Sequence, residues 1–122
     1  MLIGVQAGTT SQQFVSEKLE AGLTQTPQQF NSSDDTVLAL QTGRVDAIVC
    51  DEIIGRFYMS KHPDKIAALD GHVGPVTQFG VAYRKDDTAL KEKMQKVLDE
   101  MRADGTMAKI SEKWFGKDIT KL

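Results

Sequence analysis

The run Ile3-Gly4-Val5-Gln6-Ala7-Gly8-Thr9-Thr10-Ser11, followed by Phe14, Val15 and Leu19 at helical spacing, constrains this chain more than any other stretch. A short apolar segment that stops at a glycine, then hydroxyls, then a helical period reads as strand, tight loop and helix, with Gly22 placed to end the helix. The pattern recurs. Residues 26–30 predict a weakly apolar strand suited to a sheet edge, and Ser32-Ser33-Asp34-Asp35 opens a second helix with a hydroxyl cap and two carboxylates in the first turn. Val37, Leu38 and Leu40 are its expected buried positions, and Gln41-Thr42-Gly43 ends it. Ala47-Ile48-Val49-Cys50, the most continuous apolar run, predicts a central parallel strand buried on both faces. A helix carrying Ile53, Ile54, Phe57, Tyr58 and Met59 follows and stops near His62-Pro63. Strand alternating with helix in this way predicts an α/β fold, doubly wound around a mostly parallel sheet.

Beyond that unit the pattern changes. Residues 65–69 predict a fourth short strand, and Gly71-His72-Val73-Gly74-Pro75 is the most linker-like stretch. Phe79-Gly80-Val81-Ala82-Tyr83-Arg84 predicts another strand. Residues 88–102 predict a long amphipathic helix striped by Leu90, Met94, Val97, Leu98 and Met101, stopped by Asp104-Gly105-Thr106. A last helix over 107–114 brings Ile110 and Trp114, with Phe115 just beyond, which need a surface to pack on. The division therefore falls between an α/β domain at 1–76 and a strand-plus-helices appendage at 77–122.

The candidate chemistry lies at strand ends. The first N–H groups of a helix lack intrahelical partners and sit at the positive end of its dipole, so the loop before it suits an anion. Gly8 lets a ligand approach the main chain, and the hydroxyls of Thr9, Thr10 and Ser11 can cap the helix or hold a carboxylate or phosphate. Asp51 stands where open α/β sheets bind ligands, at the carboxyl end of a strand, and it can equally cap the next helix. Helix capping alone accounts for Asp34 and Asp35. His62 belongs at an exposed helix end and His72 in a turn, neither with a metal-ligand partner at useful spacing, so no metal or cofactor is expected. Cys50, the only cysteine, reads as a small core side chain. With 15 basic and 17 acidic side chains, a net charge of −2 and no basic cluster interleaved with aromatics, nucleic acid is excluded as a partner. No run approaches the ~18 apolar residues of a membrane span, and Met1-Leu2-Ile3 has neither the charged nor the apolar region of a signal peptide, so the chain as given is expected to be soluble.

Four strings occur in order: Ile-Gly-Val-Gln-Ala-Gly-Thr-Thr-Ser; Leu-Gln-Thr-Gly-Arg-Val-Asp-Ala-Ile-Val-Cys-Asp-Glu; Phe-Gly-Val-Ala-Tyr-Arg-Lys; and Met-Arg-Ala-Asp-Gly-Thr-Met-Ala-Lys-Ile-Ser-Glu-Lys-Trp-Phe-Gly. Together, across essentially the whole chain, they closely resemble the polar amino-acid-binding proteins of bacterial ABC transporters, the family 3 solute-binding proteins. The resemblance implies a periplasmic-binding-protein-like, flavodoxin-like lobe: residues 1–76 match most of lobe two, and residues 77–122 match the returning hinge strand and C-terminal helices of lobe one. It implies that Thr10, with Ser11 beside it, holds a ligand α-carboxylate, that Asp51 pairs with the α-ammonium, and that Gln6, with Gln78 as a second contributor, touches the ligand. It also implies a periplasmic or lipoprotein setting for the full-length form and a membrane permease as partner.

The family's carboxylate-clasping arginine and aromatic wall belong to the unmatched part of lobe one, and neither Arg44 nor Arg84 stands in that position. A truncated chain with half a cleft is the expectation, with very weak binding of an amino acid. The terminal segments then pack in one of two ways: residues 79–85 pair with the chain's own sheet, or two chains exchange the segment as a homodimer. Rival functions are weaker. A dehydratase-like enzyme needs an acid or base beside Asp51, where only Glu52 stands; a phosphoacceptor receiver domain needs an acidic pair where this chain has Gln6-Ala7-Gly8; a ligand-sensing module of a receptor or sensor kinase shares the binding fold.

Overall fold

The computed structural model describes residues 1–19, 22 and 25–121. Two compact units divide the chain, Met1–Asp70 and Gly71–Leu122.

In the first unit three strands, β1 (Ile3–Gln6), β2 (Gln28–Phe30) and β3 (Ala47–Val49), form a parallel sheet in the order β2-β1-β3. The register pairs Val5 with Gln29 on one side and with Val49 on the other. Helix α1 (Thr10–Phe14) runs into a π-helical segment at Val15–Leu19; α2 (Ser33–Gln41) and α3 (Glu52–Lys61) follow their strands. Alternation along β1 sends Ile3 and Val5 to one face, where Val15 and Val49 join them. The opposite face collects Leu2, Phe30, Ile48, Ala39, Leu40 and Val45. Burial on both faces is what a parallel sheet requires. Gly4 is sterically necessary here, since an added Cβ would lie 3.1 Å from the Phe30 ring and 3.2 Å from Val45. The start of β1 is pinned from the turn before β3, where Asp46 Oδ2 accepts from Leu2 N–H at 2.6 Å.

The expected elements through residue 62 form, with three corrections. β1, not β3, is the central strand, and the β3 residues are half-buried, because nothing pairs with the far side of β3 among the described residues. In α2 the inward side is Thr36, Val37 and Ala39, with Leu40 half-buried, while Leu38 is 57% exposed. Residues 37 and 40 share a face at helical spacing, which turns 38 outward. In the first helix Val15 is fully buried and Phe14 half-buried; the Leu19 side chain lies outside the described residues, as do the neighbours of Gly22 where that helix was expected to end.

The strands expected at 65–69 and 79–84 are not formed, and the sheet has no fourth strand among the described residues. A strand persists only where a neighbour accepts its ladder; Phe79 and Val81 instead stand 70% and 57% exposed. His62 is exposed at the end of α3, as expected, and His72 is exposed.

The second unit contains α4 (Thr88–Ala103) and α5 (Thr106–Phe115). Asp87 caps α4 by accepting from Leu90 N–H at 3.2 Å, and Gly105, at φ +79°, takes the left-handed turn between the helices. Ser111, 2% exposed, donates to the Lys117 carbonyl and accepts from Ile119 N–H, tying the chain end back onto α5. No helix among the described residues is long and apolar enough to cross a membrane.

Candidate ligand-binding site

The order β2-β1-β3 makes the chain reverse direction across the sheet between β1 and β3, and the carboxyl ends of two such strands frame a crevice at the switch point. The crevice is present. A recess of about 30 Å³ is lined by Gln6 and Thr9 from the end of β1 and its loop, Ser11 from α1, Ser33 from α2, and Cys50 and Asp51 from the end of β3. Val37, Ile48, Val49 and Ile54 add apolar lining. Its free space is that of a water molecule or two, too little to enclose an amino acid.

Four of the residues singled out from the sequence, Gln6, Thr9, Ser11 and Asp51, meet in this recess; Gly8 and Thr10 are exposed and do not line it. Thr9 is the N-cap of α1: its Oγ1 accepts from Gln12 N–H at 3.2 Å and donates to the Gln6 carbonyl at 2.8 Å. Gly8 sits at φ +73°, the left-handed region that favours glycine, and its N–H donates to Gln12 Oε1 at 2.7 Å. Asp51 occupies the N-cap position of α3 yet makes no side-chain capping bond, so its carboxylate is not consumed by the helix. The contrast with α2 is direct, because there Ser32 caps by accepting from Asp35 N–H at 3.0 Å and donating to Asp35 Oδ2 at 2.7 Å.

Sequence reasoning missed Ser33. Alternation puts Gln6 on the α2 side of the sheet with Leu2 and Gly4, and Ser33 Oγ donates to Gln6 Oε1 at 2.6 Å. That parity was the available signal. Asp34, beside Ser33, accepts a short hydrogen bond from the Tyr58 hydroxyl, which fastens the first turn of α2 to α3 and pushes the Tyr58 phenol up to about 12. Burial, reinforced by the Asp51 charge, raises the Cys50 thiol and keeps it in its neutral form. Glu52 is engaged by Arg56 at 2.5 Å, and Arg44 stacks over the Phe30 ring at 5.3 Å. Gln78 is exposed and belongs to the second unit. Among the described residues no group of three or more metal-ligating side chains comes together.

Comparison with known proteins identifies the family of the chain. The family model described as bacterial extracellular solute-binding proteins, family 3, matches residues 12–117. The L-cystine-binding protein TcyJ of Escherichia coli K12 is 30% identical over 119 residues, covering 98% of this chain and 43% of that protein. An ancestral arginine-binding protein bound to glutamine superposes with a TM-score of 0.67 at 38% identity, covering 95% of this chain and 50% of the other. A substrate-binding protein of an ABC uptake transporter from Streptococcus pneumoniae with bound histidine gives 0.71 at 26%, covering 98% and 51%. The chain thus spans about half the length of the relatives it matches, and its α/β fold is that of periplasmic binding proteins.

Proposed function

The chain belongs to the bacterial extracellular solute-binding proteins of family 3, and we propose that it supplies one jaw of an amino-acid-binding cleft that serves an ABC importer rather than an enzyme. The observation that carries this reading is Asp51: a carboxylate at the switch point, left uncapping, in the same recess as the hydroxyls of Thr9 and Ser11. A zwitterion needs such a pair. In this reading Asp51 takes the α-ammonium, while Thr10 and Ser11, with the Gly8-Thr9 loop, present donors to the α-carboxylate, and Gln6 touches the rest of the ligand.

The ligand is a polar amino acid, and the partner of the full-length protein is the membrane permease, in a periplasmic or lipoprotein-anchored setting. The ligands of the relatives, L-cystine, glutamine and histidine, support the ligand class. The opposing jaw, with its carboxylate-clasping arginine, is not among residues 1–122. Loss of a buried, hydrogen-bonded charge pair costs roughly 2–5 kcal/mol of binding, a weakening of about 30- to 5,000-fold, so the 122-residue chain binds amino acids very weakly. The half-exposed stripe of α4 and α5 supports segment exchange with a second copy, read out as a dimer mass by light scattering.

Calorimetric titration with a panel of the common amino acids tests the half-cleft. Micromolar binding to the monomer overturns it. Chemical-shift titration tests the site itself: the Thr9, Ser11 and Asp51 amides move with added amino acid, and Asp51→Asn abolishes the movement. Movement that survives Asp51→Asn refutes the ammonium assignment.

A further inference from the structure

Helix α3 walls the recess and is lightly held. No residue of Glu52–Lys61 is buried, and Asp51 at its N-cap makes no side-chain bond to it. It also follows β3, whose far side pairs with nothing among the described residues. Its backbone nevertheless rests on the Cys50 thiol at Gly55, where an added Cβ would lie 3.4 Å from Sγ. Ile54 of α3 lines the recess together with Ser33 and Val37 of α2. One turn beyond Ile54, and so on the same face of α3, Tyr58 donates its hydroxyl to Asp34 Oδ1 in the first turn of α2. A carboxylate only accepts, so the phenol must be the donor and the direction of this bond is fixed.

We propose that the Tyr58–Asp34 bond is a latch: α3 is the movable wall of the recess, and an amino acid reaches Asp51 only when Tyr58 and Asp34 part. The inference rests on the ligand reading above and deepens it. As it stands the recess holds a water molecule or two, so a wall must move before one ligand can share Asp51, Thr9 and Ser11. Opening breaks the latch, which keeps the open, ligand-competent fraction small and reduces the apparent affinity by that fraction. A substitution that removes the latch therefore strengthens binding, whereas loss of a merely structural contact would weaken it.

Cys50 is the only cysteine and lines the recess, so its alkylation by iodoacetamide, followed by mass spectrometry at one fixed pH, reports the movement without any ligand. The parent reacts more slowly than the urea-unfolded chain. Tyr58→Phe, which keeps the ring, speeds the reaction about 2- to 5-fold, the effect of one hydrogen bond discounted for its exposure to solvent. Asp34→Ala does the same, carries the test if Tyr58→Phe fails to fold, and adds nothing in the double variant. The Val5 amide exchanges at the parent rate throughout, showing that the sheet stays closed. Alkylation unchanged in Tyr58→Phe, or accelerated only in step with Val5 exchange, overturns the inference. Titration with L-glutamine, L-histidine and L-cystine, followed at the Ser11 amide, then gives a Kd about 2- to 5-fold tighter in Tyr58→Phe than in the parent. Shifts with equal or weaker affinity overturn the inference and leave the amino-acid site standing. Shifts with none of the three ligands in either protein overturn both.

Discussion

In the first unit β1 is covered on both faces, by Val15 on one and by Ala39 and Leu40 on the other; in the second, α4 and α5 leave Leu90, Val97, Ile110 and Trp114 close to half exposed. Every buried hydrophobic residue among those described lies between Ile3 and Val45. Both units carry well-patterned sequence, so pattern is not what separates them. The difference lies in what each unit supplies to receive an apolar face: the first has a three-stranded sheet with helices on both sides, while the described elements of the second are two consecutive helices. The second unit is held instead by local devices, the Asp87 cap, the Gly105 turn and the Ser111 clasp.

The strongest test of this contrast pairs one truncation from each unit. Val5→Ala removes a side chain that is 1% exposed and costs about 2–3 kcal/mol, read from hydrogen exchange of the β1 amides. Leu90→Ala, at 46% exposure, costs less than about 1 kcal/mol, read from the fluorescence of Trp114. Equal costs would erase the distinction. Next come two glycines. Gly4→Ala forces a Cβ to within 3.1 Å of Phe30 and 3.2 Å of Val45 and destabilises by about 1–3 kcal/mol. At Gly80 an added Cβ meets nothing within 4 Å, and Gly80→Ala stays within about 0.5 kcal/mol of the parent. A costly Gly80→Ala in chemical denaturation would mean that residues 79–84 are packed in solution.

The smallest effect concerns pH and belongs to the first unit alone. The Tyr58 phenol, raised from 10.0 to about 12 by its hydrogen bond to Asp34, is favoured in its protonated form by folding. The stabilisation is therefore fully present below pH 10 and is lost as the pH rises through about 12. In a Tyr83→Phe background, absorbance at 295 nm reports Tyr58 alone, with a midpoint near 12 that Asp34→Ala returns to the ordinary range of about 10. An ordinary midpoint in the parent would show that the α2–α3 fastening is not populated.

Much of this was legible in the residues because the signals are local. The caps at Thr9 and Ser32, the stop at Gly43 and the order strand–helix–strand–helix follow from hydrogen-bonding groups and spacings a few residues apart. Thr9, Ser11 and Asp51 could be named because they stand at or just after strand ends, where parallel α/β sheets bind ligands, whereas Gln6 was named only through the family resemblance. Ser33 escaped, since its link to Gln6 crosses 27 residues and depends on which face of β1 each side chain takes. The outward turn of Leu38 escaped for a related reason: three apolar residues in four cannot all face one layer, and only the packed sheet chooses among them.

What the amino-acid sequence settled, then, is the parallel α/β character of the first unit, the bounds of α2 and α3 and the strand ends that carry the candidate site. These follow from periodicity and capping, which act within a turn or a strand. Only the tertiary structure decided that β1 rather than β3 is central and that residues 65–69 and 79–84 form no strand. It likewise decided that Ser33 reaches Gln6 and that the Asp51 carboxylate is left uncommitted by its helix. The physical reason is common to all of them: a strand, a buried face or a shared hydrogen bond exists only when a partner distant in sequence is brought alongside it.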